Sequence, residues 1–552
     1  MTDLRPDLRP TSEVFNQVET WRDVNLATCD AALHDAVRRY NAPVSPAALE
    51  ELGATLGSHR SMSHADAANV HVPVLHAFDG QGRRQDIVEY HPGYHALLSD
   101  ALEQDVHHSP WRAGAAAGEH VARAARMYLR HQVEQGTSCP ITMTFAAVPS
   151  IRLNQTLASE WVPRIAQQSY DAGVASADAK TSCLIGMAMT ERQGGSDVRA
   201  NTTRALPSGE DDSAYVLDGH KWFCSAPMSD GFLTLAQAAG GLSCFLVPQF
   251  RPDGTRNGLQ FDRLKDKLGN RSNASAELRF VAAYGARIGE EGRGVASILE
   301  MVRHTRLDCA IGGSALIRRC VSEALNHCEQ RSVFGKRLSV QKLMRNVLTD
   351  LCLEAEAATA LSLRLAHSFA TNGDSAQEAA LCRLLTPVSK FWVTRRESVV
   401  AREAMECLGG NGFVETSPLP RLYRESPLNS IWEGAGNVQC LDVMRALHRD
   451  ATVRDAFAAF TEGALGAYGS FDAARDRVLA WMRPDGFSET EARQVVELCA
   501  LVSQAALLQT GESSEVADAF IRSRLGAEGG RSLGTLPVAV DHLGILGRSI
   551  SL

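Results

Sequence analysis

Paired cysteines are missing from this 552-residue chain: its 13 cysteines, from Cys29 to Cys499, stand singly, and none has the C-x2-C spacing of a zinc or dithiol site. No metal site or disulfide scaffold is expected, and a reducing, cytoplasmic setting fits such thiols. Long apolar runs are missing too, so no membrane span is expected. The opening Met1-Thr-Asp-Leu-Arg-Pro has no apolar stretch behind its charges, so no secretory leader is expected. A basic excess is also absent. With 56 Lys and Arg against 64 Asp and Glu the net charge is −8, and the pI is about 6.1. That balance excludes a protein whose whole surface attracts nucleic acid, and leaves such binding to a local patch. Neither an internal repeat nor a low-complexity tract occurs.

What the chain does have is a composition that switches twice. From Asp30 to about Ala175 it is rich in Ala and Leu, and Val121, Ala124, Ala125 and Tyr128 recur at helical spacing. Residues 1–182 are therefore read as a helical domain. Between about Gly186 and Ile288 come short runs punctuated by Gly, Asp and Pro. Ala276, Leu278 and Phe280 alternate there with Glu277 and Arg279, the period of a half-buried strand. Tyr215 to Phe223, Phe232 to Gln237 and Ser243 to Val247 read as further strands, which makes 183–290 a β barrel or sandwich.

Helical period then returns, with Leu343, Val347, Leu351, Ala355 and Ala358 on one stripe. Residues 291–449 form a second helical bundle and 450–552 an additional helical segment. The α, β, α order argues against a dinucleotide-binding fold, whose parallel sheet needs helices between its strands.

Six stretches carry possible chemistry. Gly186-Met-Ala-Met-Thr-Glu-Arg-Gln-Gly-Gly-Ser-Asp197 runs from an apolar strand into a loop of small and hydroxyl residues, suited to close approach of a planar ligand. Asp218 to Ser225 presents Trp222, Phe223 and Ser225 on a strand, where aromatics are most often core. Lys265 to Ser272, and Arg331 to Arg337 followed by Gln341, read singly as charged surface loops. Leu408-Gly-Gly-Asn-Gly-Phe413 and Ser430-Ile-Trp-Glu-Gly-Ala-Gly-Asn437 are glycine-rich turns that suit either a diphosphate or a helix cap. Between Trp432 and Gly434, desolvation would lift the Glu433 carboxyl above its model value of about 4.3 and make it a usable base near neutral pH.

Taken in order, these stretches resemble the acyl-CoA dehydrogenase superfamily from about Cys139 to Arg445. Within it they are similar to the bacterial flavoproteins of the adaptive response to alkylation damage. That branch's wording is nearly reproduced in Cys139-Pro-Ile-Thr-Met-Thr-Phe-Ala-Ala147, Met189 to Asp197, Leu264 to Ala274 and Pro420-Arg-Leu-Tyr-Arg-Glu425. The resemblance implies bound FAD, held by Met189, Thr190, Gly195, Ser196, Phe223 and Ser225 on one side. Ile431, Trp432, Gly434, Ala435 and Asn437 stand on the other. Arg331, Phe334 and Gln341 fall where relatives reach the FAD of a neighbouring subunit, which implies a homotetramer, and Glu406, Gly409 and Gly410 stand at a further cofactor-binding turn. Many relatives carry glutamine at the place of Glu406, so that contact differs here. Glu433 falls on the base that removes the α-proton of an acyl thioester, and Thr305 stands where other branches carry theirs.

The same resemblance implies binding of double-stranded DNA through the C-terminal region and protection during alkylation stress. The alternative is a catabolic acyl-CoA dehydrogenase without a DNA role. Residues 445–552 hold 11 Arg, no Lys and 14 Asp plus Glu, 11 − 14 = −3, so phosphate contact would need a local cluster. Arg445 with Arg449, and Arg522 with Arg524, are the candidate groups.

Overall fold

The computed structural model describes residues 14–209, 211–483 and 486–550; the Met1 to Pro6 opening lies outside them. The N-terminal part contains α1 (Ala31–Arg39), α2 (Pro46–Gly57), α3 (His59–Val70), α4 (Pro92–Glu103), α5 (Glu119–His131), α6 (Ser138–Ile151) and α7 (Gln155–Ile165). Local chemistry starts several of them. The Asp30, Ser45 and Asn154 side chains accept the N–H groups of Leu33, Ala48 and Leu157, and Pro46 occupies a first turn. Between α3 and α4 lies a hairpin of β1 (Val74–Phe78) and β2 (Arg84–Glu89), in a stretch read as helical from sequence.

The middle of the chain holds β3 (Ile185–Ala188), β4 (Arg204–Pro207), β5 (Ala214–Ser225), β6 (Gly231–Ala238), β7 (Gly241–Pro248), β8 (Leu259–Leu264) and β9 (Ser275–Ile288). Pairing runs β6–β4–β5–β9–β7 and back to β6, which closes the sheet into a barrel; β3 lies parallel to β6 and β8 beside β9. Inward Leu217, Phe232, Phe245, Phe261, Leu278 and Phe280 fill it. Among the described residues no α-helix interrupts the strand order, in keeping with the expectation that this is not a parallel dinucleotide fold.

The C-terminal part is built on three long helices: α8 (Gly294–Gln330), α9 (Lys342–Thr371) and α10 (Ala376–Cys407). A small hairpin, β10 (Ser332–Val333) and β11 (Lys336–Arg337), joins the first two. Then follow α11 (Leu419–Glu425), α12 (Leu428–Ile431), α13 (Gly436–Arg449), α14 (Thr452–Phe460), α15 (Gly469–Trp481), α16 (Ala492–Gln509), α17 (Ser514–Arg524) and α18 (His542–Gly547).

The terminal helices share the main apolar core rather than hanging from it: Val502, Phe520 and Ile545 belong to the same buried cluster as Leu33 and Leu361. Arg548 ties the chain end to α1 and α9 through Asp35 at 2.6 Å and Glu356 at 2.8 Å. Among the described residues, no helix is long and apolar enough to cross a membrane.

Candidate functional site

The loop after β3 is fixed by one carboxylate. Fully buried Glu191 accepts from Lys221 Nζ at 2.9 Å, Thr203 Oγ1 at 2.6 Å, and the Thr202 N–H and Gln193 Nε2 at 2.7 Å each. Burial alone would raise its pKa, but the Lys221 charge and these donors outweigh it and hold the carboxyl far below the usual range. Glu191 is thus spent on shaping the loop. Met189 O accepts from Asn201 Nδ2 at 3.0 Å, and Thr190 O accepts the Trp222 N–H at 2.8 Å, which seats the loop against β5. Gly195 must be small, because a Cβ there would meet Thr190 Oγ1 at 2.4 Å. Ser196 is exposed.

On β5, Trp222 is half-buried beneath Lys265, whose Nζ lies 3.4 Å from the ring centroid, while Phe223 is left 51 % exposed. Ser225 Oγ meets Ser275 Oγ at 3.1 Å across the β5–β9 pair, and Lys267 Nζ donates to Ser275 Oγ at 3.2 Å and to Asn273 O at 2.7 Å. Asn273 is buried, and neither atom of its side-chain amide has a hydrogen-bond partner among the described residues. A half-exposed aromatic ring, hydroxyls at Thr190 and Ser225, a lysine and an unpartnered amide form a donor set that fits the edge and face of a planar heteroaromatic ring. Cys139 lies nearby, its thiol pushed up to about 12 by burial, so it is no nucleophile at neutral pH.

Glu433 lies on the bundle loop that meets this region. Met189 and Trp432 pack on one buried cluster that also includes Cys139, Met143 and Ala226, so the barrel loop and the bundle loop converge. Glu433 adopts φ 57° and Gly434 φ 93°, two successive left-handed residues. Thr305 Oγ1, on α8, donates to Glu433 Oε2 at 2.7 Å. Arg306 Nε and Gln439 Nε2 each donate to Glu433 O at 3.1 Å. Burial raises the Glu433 pKa; the Thr305 hydroxyl and the Arg306 and Lys390 charges only partly offset it. Thr305, excluded as a base by its chemistry, thus serves as a hydrogen-bond donor to the carboxylate.

The remaining expected residues do not join this donor set. Phe334 stands 93 % exposed at the β10–β11 turn, and Gln341 Nε2 donates to Val333 O at 2.8 Å in the same hairpin. Arg331 donates to Asn16 O. Glu406 pairs with Arg402 at 2.8 Å on the surface of α10, just before Gly409 and Gly410, where open space surrounds the backbone. Ile431 and Ala435 are exposed, and Asn437 Oδ1 accepts from Arg493 Nε of α16 at 2.8 Å.

Of the four candidate DNA arginines, Arg449 is exposed without an ion-pair partner among the described residues, and Arg445 stands 4.0 Å from Asp442. Arg522 pairs with Glu528 at 2.7 Å and Asp518 at 3.2 Å, and Arg524 with Glu354 at 2.9 Å. Those two are held in internal ion pairs.

A helical domain, a barrel offering an aromatic face and a helical bundle offering a carboxylate together define a flavoprotein of the acyl-CoA dehydrogenase type. The chain matches the family descriptions "Adaptive response protein AidB N-terminal domain" over residues 16–172, "Acyl-CoA dehydrogenase, middle domain" over 186–283 and "Acyl-CoA dehydrogenase, C-terminal domain" over 292–448. It is 45% identical to AidB of Escherichia coli (strain K12) over 522 residues, covering 94% of this chain and 95% of that protein.

Among solved structures it resembles Caenorhabditis elegans ACDH-11 in complex with C11-CoA, with TM-score 0.82 and 26% identity over 98% of this chain and 93% of that one. It also shares its fold with a Bacillus anthracis acyl-CoA dehydrogenase complexed with FAD, with TM-score 0.63 and 17% identity over 79% and 78% of the two chains. The chain belongs to the acyl-CoA dehydrogenase family, in its AidB branch. It is an FAD-dependent oxidoreductase.

Purified protein is accordingly expected to be yellow, with about one FAD per chain by absorbance. A colourless preparation that FAD cannot reconstitute would contradict the fit between the donor set and the ring.

Proposed function

We propose that this chain is an AidB-like flavoprotein that oxidises an acyl-CoA thioester with Glu433 as base, and that binds and protects double-stranded DNA during the response to alkylation damage. We place it in the cytoplasm, where its single buried thiols would stay reduced, as a homotetramer that covers Phe334 of each subunit. The observation that carries the chemical half is the Glu433 carboxylate, buried on a left-handed turn and bonded by Thr305. It takes the proton α to the thioester carbonyl. FAD, when bound, supplies the acceptor for the β-hydride. ACDH-11 with its C11-CoA supports an acyl-CoA as the small-molecule partner.

The DNA half rests on the likeness to AidB and on Arg445 and Arg449, which share one exposed face of α13 at i and i+4. A second reading, a catabolic acyl-CoA dehydrogenase without DNA, draws on the acidic total of the C-terminal segment and on the internal pairing of Arg522 and Arg524. A salt titration of duplex binding beside an acyl-CoA panel on one preparation separates the two. Reversing charge as Arg445→Glu with Arg449→Glu is expected to weaken duplex binding for every sequence alike and to flatten its salt dependence, with FAD content unchanged. Absence of duplex affinity in the wild type at low salt would leave the catabolic reading, and a double variant that binds like wild type would move the contact elsewhere.

A further inference from the structure

Lys390 of α10 is 0 % exposed, with Val388, Phe391 and Val393 buried around it. An ammonium in such surroundings must find acceptors, because a buried unpaired charge is among the costliest features a protein can hold. Lys390 has no carboxylate within ion-pair distance among the described residues. Its Nζ donates instead to two backbone carbonyls, Trp432 O at 2.7 Å and Gly434 O at 2.6 Å. These oxygens flank Glu433, the residue held at φ 57°, a conformation that costs a non-glycine residue about 1 kcal/mol or more and persists only where its surroundings impose it.

The charges around the ammonium point the same way. Facing it are Arg306 and Cys309 from α8, Glu397 from its own helix and Glu433 from the loop. Arg306 is already paired with Asp442 at 2.7 Å. Burial pushes the Cys309 thiol and the Glu397 carboxyl well up, which disfavours the charged form of both. Glu433 is the carboxyl on the turn that Lys390 grips, and the Lys390 charge is among those that offset the cost of its burial.

We infer that Lys390 is a positioning residue for Glu433: its ammonium bridges the carbonyls of Trp432 and Gly434, holds the left-handed turn between them and supplies the cation that favours the ionised, proton-accepting carboxylate. The inference deepens the reading of Glu433 as the base and rests on it for its catalytic meaning, while the clamp itself concerns the backbone alone.

The clamp is tested first without any substrate, by hydrogen exchange on FAD-loaded protein. The amides of Trp432 and Gln439 bond to Leu428 O and Ala435 O at either end of the turn. Lys390→Met, which removes donor and charge, is expected to speed exchange across 432–439, and Lys390→Gln, which keeps a donor, to do so less. Exchange unchanged in both variants overturns the clamp.

The charge is tested with an acyl-CoA that reduces the wild-type flavin. Both variants are expected to reduce it on the order of 10- to 100-fold more slowly, with half-saturation little changed and the acid limb of the rate moved to higher pH. Should Lys390→Met fail to fold, Lys390→Gln alone decides through the limb. A slower rate with an unmoved limb overturns the charge role. Glu433→Gln run in parallel keeps the readings apart: if it still reduces flavin at the wild-type rate, Glu433 is not the base, whatever the exchange result.

Discussion

Replacing Glu433 by glutamine is expected to cut flavin reduction by acyl-CoA at least about 10²-fold, the lower end for loss of a general base, while FAD stays bound. The amide is nearly isosteric with the carboxylate but cannot take up the α-proton. The local structure should survive. Arg306, Gln439 and Lys390 all donate to backbone oxygens of residues 432–434, and Thr305 can donate to an amide oxygen as it does to Oε2. Activity should also carry the sign of the carboxyl's environment. Burial raises the Glu433 pKa, so the base is lost to protonation at a higher pH than for an exposed glutamate, and the wild-type rate should climb through a midpoint above the ordinary carboxylate range. Stopped-flow reduction under anaerobic conditions reads both effects. A variant that matches wild type at each pH would place the base on another residue.

Much of this site was legible as residue type and little of it as geometry. Barrel strands stood out because Ala276, Leu278 and Phe280 alternate, and the long helices because their apolar stripes persist over many turns. The β1–β2 hairpin was read as helix because Val74 and Phe78 face outward, which blurs the alternation; the Asp79-Gly80 turn was the signal that could have revealed it. Glu433 was visible from its neighbours in sequence. Its partners were not, since Thr305 and Lys390 lie 128 and 43 positions away and only the packing of α8 and α10 brings them to the loop. A single lysine between Val388 and Phe391, in a helix rich in apolar residues, is the trace that buried Lys390 leaves in the sequence.

Breaking the Arg123–Asp308 pair is expected to produce the largest loss of stability, about 3–5 kcal/mol for Arg123→Met or Asp308→Ala. The two side chains are 1 % and 2 % exposed, and the guanidinium forks onto the carboxylate with both contacts at 2.7 Å. Arg123 Nε also donates to Val106 O at 2.6 Å, the guanidinium carbon lies 3.4 Å from the Phe145 ring centroid, and Thr142 Oγ1 donates to Asp308 Oδ2 at 2.7 Å. Either substitution strands a desolvated charge, which is why the loss should exceed that of a surface pair.

The pair also joins α5 and α6 of the helical domain to α8 only three residues beyond Thr305, so its removal should loosen the frame behind Glu433. Burial alone would raise the Asp308 pKa, but the Arg123 charge, its bonds and Thr142 outweigh that and hold it below the ordinary value. A depressed carboxyl contributes stability that is present above its unfolded pKa and disappears as pH falls through the folded one. Thermal melting as a function of pH should therefore show the wild type losing stability on acidification, and Asp308→Asn, with no carboxyl to protonate, changing less over that range. A curve for Asp308→Asn parallel to wild type, or a melting point unmoved by Arg123→Met, would show that this pair does not hold the two domains together.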